Sequence, residues 1–279
     1  MPADHRQAQR DIARDLGVAD TFDAADEAER RVRFLARLLA DTGLSTLVLG
    51  ISGGVDSAAA GALCRQAVDR CRTDGGSASF VAIHLPYGRQ ADVDDVRAVL
   101  EALHPDEVLT VDVRPASDAA LQAVEDAGLT FASEEQRDFV LGNIKARQRM
   151  VTQYAVAGTR AGLVVGTDHA AEAVTGFFTK YGDGGVDVVP LAGLTKRRVR
   201  ALAAHLAMPE NIVTKVPTAD LHTLKPQRAD EDELGLSYQQ IDDFLEGADV
   251  DPEVAAEIIE RHRNTAHKRS TPTAPPAPA

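Results

Sequence analysis

Hydrophobic and polar positions alternate along this chain in blocks of two periods. Residues 1–20 are polar with a helical tendency. From Asp23 the pattern is that of an amphipathic helix. Asp23 caps it, Asp26, Glu27 and Glu29 lie early, and Arg30, Arg31, Arg33 and Arg37 lie late. Val32, Leu35, Leu38 and Leu39 form the apolar stripe, and Gly43 ends it. Leu47-Val48-Leu49 is a short run of bulky apolar residues, as a parallel strand buried on both faces requires. A second strand is expected at Phe80-Val81-Ala82-Ile83, a third from Val108 to Val113 and a fourth over Gly162 to Thr167. A short fifth is expected from Val186 to Leu191. Helical patterns separate them: a small-residue helix from Ala58 to about Cys71, then Ala91 to Leu103 and Ser117 to Ala127. A long helix opened by Ser133, with Glu134, Glu135 and Gln136 in its first turn, runs to about Arg160. Thr195 stands near the start of a further helix. Ser237-Tyr238-Gln239-Gln240 has capping-box spacing, and Asp251-Pro252 reads as a cap followed by a first-turn proline. Strands alternating with helices predict an α/β fold, a doubly wound, Rossmann-like parallel sheet of about five strands flanked by helices. Ligands of such sheets sit at the carboxyl ends of the strands, so the loops after Ile51, Leu85 and Thr167 should share one crevice.

Composition narrows the possibilities without changing that picture. The 279 residues, 44% hydrophobic and without Trp, suit one large domain with a Leu/Val/Ile/Ala core over residues 1–269. Ser270 to Ala279 is Pro/Ala-rich and reads as a disordered tail. A net charge of −13 argues against a general nucleic-acid binder. Cys64 and Cys71 share one helix face and read as small hydrophobes rather than a disulfide or metal pair. With no apolar run long enough for a membrane span or a secretion signal, a soluble cytoplasmic protein is expected.

The candidate chemistry centres on Gly50-Ile51-Ser52-Gly53-Gly54-Val55-Asp56-Ser57, placed between the first strand and the small-residue helix. Backbone N–H groups of such a turn and of the helix start favour a phosphate. Ser52 and Ser57 add hydroxyls, and Asp56 offers a hard oxygen to Mg²⁺. Neither the P-loop pattern nor the dinucleotide fingerprint fits, since no Lys follows the glycines and their spacing is wrong. Ser-Gly-Gly-x-Asp-Ser instead resembles the loop of the ATP pyrophosphatases, which split ATP between its α and β phosphates. Val55 stands where close relatives often carry Gln; other ATP pyrophosphatases have Val there.

Further stretches make the resemblance specific. They are Gly142-Asn143-Ile144-Lys145-Ala146-Arg147, Gly166-Thr167-Asp168-His169-Ala170-Ala171-Glu172, and Thr175 through Gly185. With them stand Pro190-Leu191-Ala192-Gly193-Leu194-Thr195-Lys196-Arg197, Pro217-Thr218-Ala219-Asp220-Leu221, Glu233-Leu234-Gly235 and His267-Lys268-Arg269. Together, over residues 22 to 269, they resemble ammonia-dependent NAD synthetase, a member of the ATP-pyrophosphatase superfamily with an adenine nucleotide alpha hydrolase-like fold. The resemblance implies a ligase that adenylates the nicotinate carboxylate of deamido-NAD with ATP. Pyrophosphate leaves, and ammonia then converts the adenylate to NAD and AMP. It implies that Gly50, Ile51, Ser52, Gly53, Gly54, Val55, Asp56 and Ser57 hold ATP phosphates, with Thr167, Lys196 and Thr218 completing the nucleotide site. Asp56 and Glu172 would bind Mg²⁺. Arg147, Lys180, Asp187, His267 and Lys268 would hold deamido-NAD, with Asp56, Lys180 and Lys196 nearest the chemistry and Asp183 or Asp187 handling ammonia. A homodimer is also implied, with the long helix from Ser133 and the last helices as its interface.

Blander alternatives accompany these residues. Glu172 and Lys180 have the look of ordinary surface groups when taken alone, and Lys145, Arg147 and Arg149 that of a solvated helix face. His169 is expected to cap or pack rather than bind metal, because no second His or Cys accompanies it. Asp230-Glu231-Asp232-Glu233 reads as a solvated acidic face. Thiolation of tRNA would need a placed cysteine and a basic surface. A glutamine-dependent synthetase would need a glutaminase domain for which there is no room. A non-catalytic nucleotide sensor would not need Asp56, Glu172, Lys180 and Lys196 together.

Overall fold

The computed structural model describes residues 1–88, 92–218, 223–224 and 228–275. Ala91, where the third predicted helix was expected to begin, the Ala219-Asp220-Leu221 part of one motif and the last four residues of the tail lie outside them. Helices α1 (Ala3–Asp15) and α2 (Ala24–Thr42) precede β1 (Thr46–Gly50), α3 (Val55–Thr73), β2 (Ser79–His84), α4 (Val93–Leu103) and β3 (Glu107–Thr110). Helices α5 (Arg114–Asp126) and α6 (Glu134–Arg160) lead into β4 (Gly162–Val165). Next come α7 (Ala170–Thr175), α8 (Lys196–His205), α9 (Glu210–Val213), α10 (Asp230–Leu234), α11 (Tyr238–Leu245), α12 (Pro252–Asn264) and α13 (Ala266–Arg269).

The four strands form one parallel sheet in the order β3-β2-β1-β4. The expected fifth strand reduces to a single parallel bridge between Val165 and Val188. One reason is local: Asp187 uses its carboxylate to take the Val164 N–H at 2.8 Å, so a side chain replaces part of a strand ladder there. The third strand ends at Thr110 rather than Val113, and α5 begins three residues before Ser117.

Side-chain alternation along β1 assigns its two faces. Leu47 and Leu49 pack in one core with α2, α3 and α8, whereas Val48 packs in another with Val81, Ile83, Val164 and Ala157 of α6. All three β1 residues are at most 1% exposed, and burying each such side chain contributes about 1.5–3 kcal/mol. Helices therefore cover both faces, as the unbroken apolar runs of the strands require. A third apolar cluster joins α1, α7, α11 and α12 beside the sheet. Cap chemistry sets many boundaries. Asp23 accepts the Ala25 and Asp26 N–H groups, Ser133 that of Gln136 and Thr195 that of Arg198. Ser237 and Gln240 form a full capping box, and Asp251 caps α12 ahead of Pro252. Cys64 is fully buried and Cys71 half-buried, and both are free thiols. No helix among the described residues is long and apolar enough to cross a membrane.

The chain leaves β1 towards β2 on one side, and β4 lies on the other. The carboxyl end of β1 is thus the switch point of the sheet, where the crevice opens.

Candidate active site

The loop after β1 is held by its own hydroxyls. Ser57 Oγ donates to the Gly54 carbonyl at 3.0 Å and accepts the Ser52 N–H, and Ser52 Oγ takes the Gly54 N–H. Gln153, reaching over from α6, accepts the Gly50 N–H at 2.9 Å. Gly54 caps the 19-residue α3 without a side chain, so the first-turn N–H groups stay open to an anion. Gly53 has φ +81°, and a Cβ there would stand 3.0 Å from the Val96 nitrogen and 3.1 Å from the Asp95 Cβ. Gly53→Ala should therefore displace the loop from α4 and cut activity at least tenfold. Pyrophosphate release measured at saturating ATP checks this.

The loop opens into a cavity of about 400 Å³. Gly50, Ile51, Ser52, Gly54, Val55, Asp56, Ser57, Thr167, Glu172, Lys196, Thr218 and Lys268 all line it, brought together from positions more than 200 residues apart. Gly53 lies behind the lining, against α4. The other proposed dinucleotide contacts lie off it. Arg147 donates to the Lys180 carbonyl, Lys180 to that of His267, and Asp187 is engaged by the Tyr154 hydroxyl at 3.0 Å and the Val164 N–H. Lys268 donates to the Gly176 and Phe178 carbonyls, both at 2.8 Å, which ties α13 to the cavity rim.

At the floor is an ion cluster. The Lys196 ammonium lies 2.8 and 2.9 Å from the two Asp56 oxygens. His169 Nε2 is 3.5 Å from Asp56 Oδ1, 3.6 Å from Glu172 Oε2 and 3.5 Å from Lys196 Nζ. Asp56, His169 and Glu172 each offer a ligand atom, all within 4.8 Å of one another. His169 occupies the N-cap position of α7 without a side-chain cap hydrogen bond, and its buried ring packs between the two carboxylates of this cluster. Its partners are carboxylates rather than a second His or Cys, and one comes from the first turn of α3, more than 100 residues earlier. The signal available was its place four residues after the end of β4, beside Asp168.

Burial, then the Lys196 charge, lowers the His169 pKa to about 3, so the imidazole is neutral. Burial opposes the Asp56 charge, but the adjacent Lys196 ammonium outweighs it and holds the Asp56 pKa below the ordinary value. Burial and then the Asp56 charge push Glu172 well up. Burial, Asp183 and Asp56 push Asp168 up to about 7. A divalent cation beside Asp56 and Glu172 would oppose the rise at Glu172 and favour its charged form. Oxygen donors on Asp56 and Glu172 suit a hard ion such as Mg²⁺.

A raised carboxylate pKa means that the native state binds a proton the unfolded chain has lost. Without metal, this contribution to stability falls as pH rises from about 4 to 7. Mg²⁺ should therefore raise the melting temperature more at pH 8 than at pH 6. Thermal unfolding with and without the ion at both pH values checks it.

Other residues also meet here, among them Arg149 and Asp230, which were expected on solvated faces, and Gln153, Lys215 and Asp242, to which the sequence assigned no role. Arg149 and Gln153 line the cavity from α6, and Arg149 donates to the Leu85 carbonyl. Lys215 lines it while bridging Asp92 and Asp95 at 3.1 and 2.7 Å. Asp230, expected on a solvated face, is buried and lines the cavity. Asp242 accepts the Lys196 and Arg197 N–H groups at 2.9 and 2.8 Å, and the Lys196 ammonium lies 4.9 Å from the Tyr238 ring centroid.

A parallel α/β sheet with an anion-binding Ser-Gly-Gly-x-Asp-Ser loop at its switch point, facing a carboxylate cluster and a buried lysine, defines an adenine-nucleotide enzyme of the ATP-pyrophosphatase class. Within that class, the family model described as NAD synthase matches residues 27–272, and the chain belongs to that family. It is 61% identical over 267 residues to the NH(3)-dependent NAD(+) synthetase of Streptomyces coelicolor, covering 96% of this chain and 97% of that one. Its fold superposes on the crystal structure of NAD+ synthetase from Burkholderia pseudomallei with a TM-score of 0.84. The two chains are 56% identical, with 98% and 99% covered. It also superposes on NMN synthetase from Francisella tularensis with a TM-score of 0.79. There the identity is 33% and the coverage 91% and 99%.

Proposed function

We propose that this chain is a ligase of the last step of NAD biosynthesis, joining ammonia to the nicotinate carboxylate of deamido-NAD at the expense of ATP. The observation that carries this reading is the near-full-length identity to a relative of that activity, together with a loop, lysine and carboxylates gathered in one cavity. A carboxylate is a poor acyl donor, and transfer to AMP gives it a good leaving group. The open N–H groups of α3 hold phosphate oxygens. Lys196 stabilises the charge that gathers on them as pyrophosphate departs, so rate comes from position and electrostatics. Asp56 and Glu172 would hold Mg²⁺, which when bound neutralises phosphate charge. The neutral His169 keeps their two carboxylates apart and adds no charge of its own. Arg147, Lys180, Asp187, His267 and Lys268 are proposed to contact deamido-NAD.

The molecule is read as a cytoplasmic homodimer. Phe139, Val151 and Tyr154 of α6 are 58%, 52% and 37% exposed, an apolar face suited to a second copy. A concentration series by light scattering that stays monomeric would remove the dimer.

A second substrate reading follows from the 33% identity to NMN synthetase: the acceptor is a mononucleotide. One experiment separates them. The protein is given ATP and Mg²⁺ with deamido-NAD or its mononucleotide counterpart, and either ammonium or glutamine. NAD and AMP with deamido-NAD and ammonium are expected. Product with the mononucleotide alone moves the assignment, and no product in any tube rejects both.

A further inference from the structure

The proposal rests on the assignment of Asp56 and Glu172 to a divalent ion. Asp56 already has a cation, because Lys196 lies 2.8 and 2.9 Å from its two oxygens. A divalent ion on the same carboxylate would stand close to that ammonium, and like charges at such spacing repel steeply. The ammonium must then move, and with the Lys196 side chain only 2% exposed the groups nearest to receive it are those packed around it on the cavity floor.

Two neighbours offer a second position. Tyr238 presents its ring face, with the ammonium 4.9 Å from the centroid, an attractive arrangement for a cation. The Tyr238 hydroxyl donates to Asp230 Oδ2 at 3.2 Å and so fixes that carboxylate. Asp230 lines the cavity and is 7% exposed, yet its Oδ1 is buried with no hydrogen-bond partner. A buried carboxylate oxygen without a donor is costly and calls for a partner that arrives in another state.

We propose that Asp230 is a positioning residue: with the ring of Tyr238 it forms a second seat for the Lys196 ammonium, taken when a divalent ion occupies Asp56. Both cations then end paired, the ion with Asp56 and Glu172 and the ammonium with Asp230. The lysine keeps its approach to the cavity in either seat.

The test is Mn²⁺ binding to nucleotide-free protein, read from the electron paramagnetic resonance of the free ion. Native protein, Asp230→Asn, Lys196→Met and the double variant complete a cycle. Asp230→Asn is expected to weaken Mn²⁺ binding about tenfold when Lys196 is present and less than about twofold when it is Met, a coupling of the size direct partners show. Equal weakening in both backgrounds would make Asp230 a mere distant negative charge and overturn the proposal, as would no weakening in either. Tyr238→Phe keeps the ring but drops the hydroxyl, and it should weaken Mn²⁺ binding about threefold, again only with Lys196 present. It supplies the same cycle if circular dichroism shows Asp230→Asn unfolded. Native protein that binds no Mn²⁺ overturns the metal assignment and the second seat with it. Binding lost in Glu172→Gln but unchanged in Asp230→Asn and Tyr238→Phe overturns the second seat alone.

Discussion

Lys196→Met should lower turnover by about 10²–10³-fold, the usual effect of removing one preorganised group that stabilises developing charge, while leaving stability nearly unchanged. Lys196 is 1% exposed at the start of α8, and its apolar stem is packed along its length. Methionine keeps that volume; removing one partner of a fully sealed ion pair would cost about 3–5 kcal/mol, because the other charge is left buried and uncompensated. Asp56, which retains 21% exposure and faces His169, is left in contact with water rather than sealed away. The reverse deletion should behave differently. Asp56→Ala removes the direct partner of a buried ammonium, and the expected result is a loss of stability larger than that of Lys196→Met, in addition to lost activity. Urea unfolding and steady-state pyrophosphate release on the two variants separate the effects. An active Lys196→Met protein would rule out any role for the ammonium in the chemistry.

Asp242→Ala is expected to destabilise the fold by about 2–4 kcal/mol, because one buried and one part-buried backbone donor lose their acceptor, at about 1–3 kcal/mol for a buried one and less for the other. Asp242 is 2% exposed and serves α8 from outside it, reaching across from α11 to the Lys196 and Arg197 N–H groups. Thr195 strengthens the same joint by donating to Glu246 Oε1 at 2.6 Å, and Arg198 pairs with Glu246 at 3.2 Å. The backbone of Lys196 is thus set by α11, so, with the role proposed for this lysine, the variant should lose activity even below its melting temperature. Asp242→Asn retains one acceptor and should recover part of both losses. Equal midpoints in urea and equal turnover for Asp242→Ala and native protein would show that α8 holds its first turn unaided.

How much of this was legible in the sequence depended on the range of the interaction. Caps at Asp23, Ser133, Thr195, Ser237 and Asp251 were readable because donor and acceptor lie within a few residues of each other. The strand–loop–helix unit at Gly50 to Ser57 was readable for the same reason. The fifth strand was not, since Val186 to Leu191 has the right apolar content but Asp187 takes a backbone donor of β4 with its side chain. Asp230 looked solvated in a run of four acids, yet Tyr238 and the cavity wall enclose it. His169 lacked the spacing of a metal ligand because its neighbours are Asp56 and Glu172. The roles of Asp242 and Tyr238 arise only from the packing of α11 on α8, which no local pattern encodes.

The amino-terminal helix has a practical consequence. It precedes the span matched by the family model, yet Gln9 in its middle donates to the Phe244 and Ala248 carbonyls at 2.8 and 2.9 Å. Through α11 these bonds bear on Asp242 and hence on Lys196. The Met1 amine also pairs with Asp249, only 3.1 Å away. An affinity tag or fluorescent fusion at Met1 would pull on the helix that braces α11 and, through it, Lys196. Residues 271–275, at the other end of the described chain, are exposed, so a tag on that side leaves this brace alone.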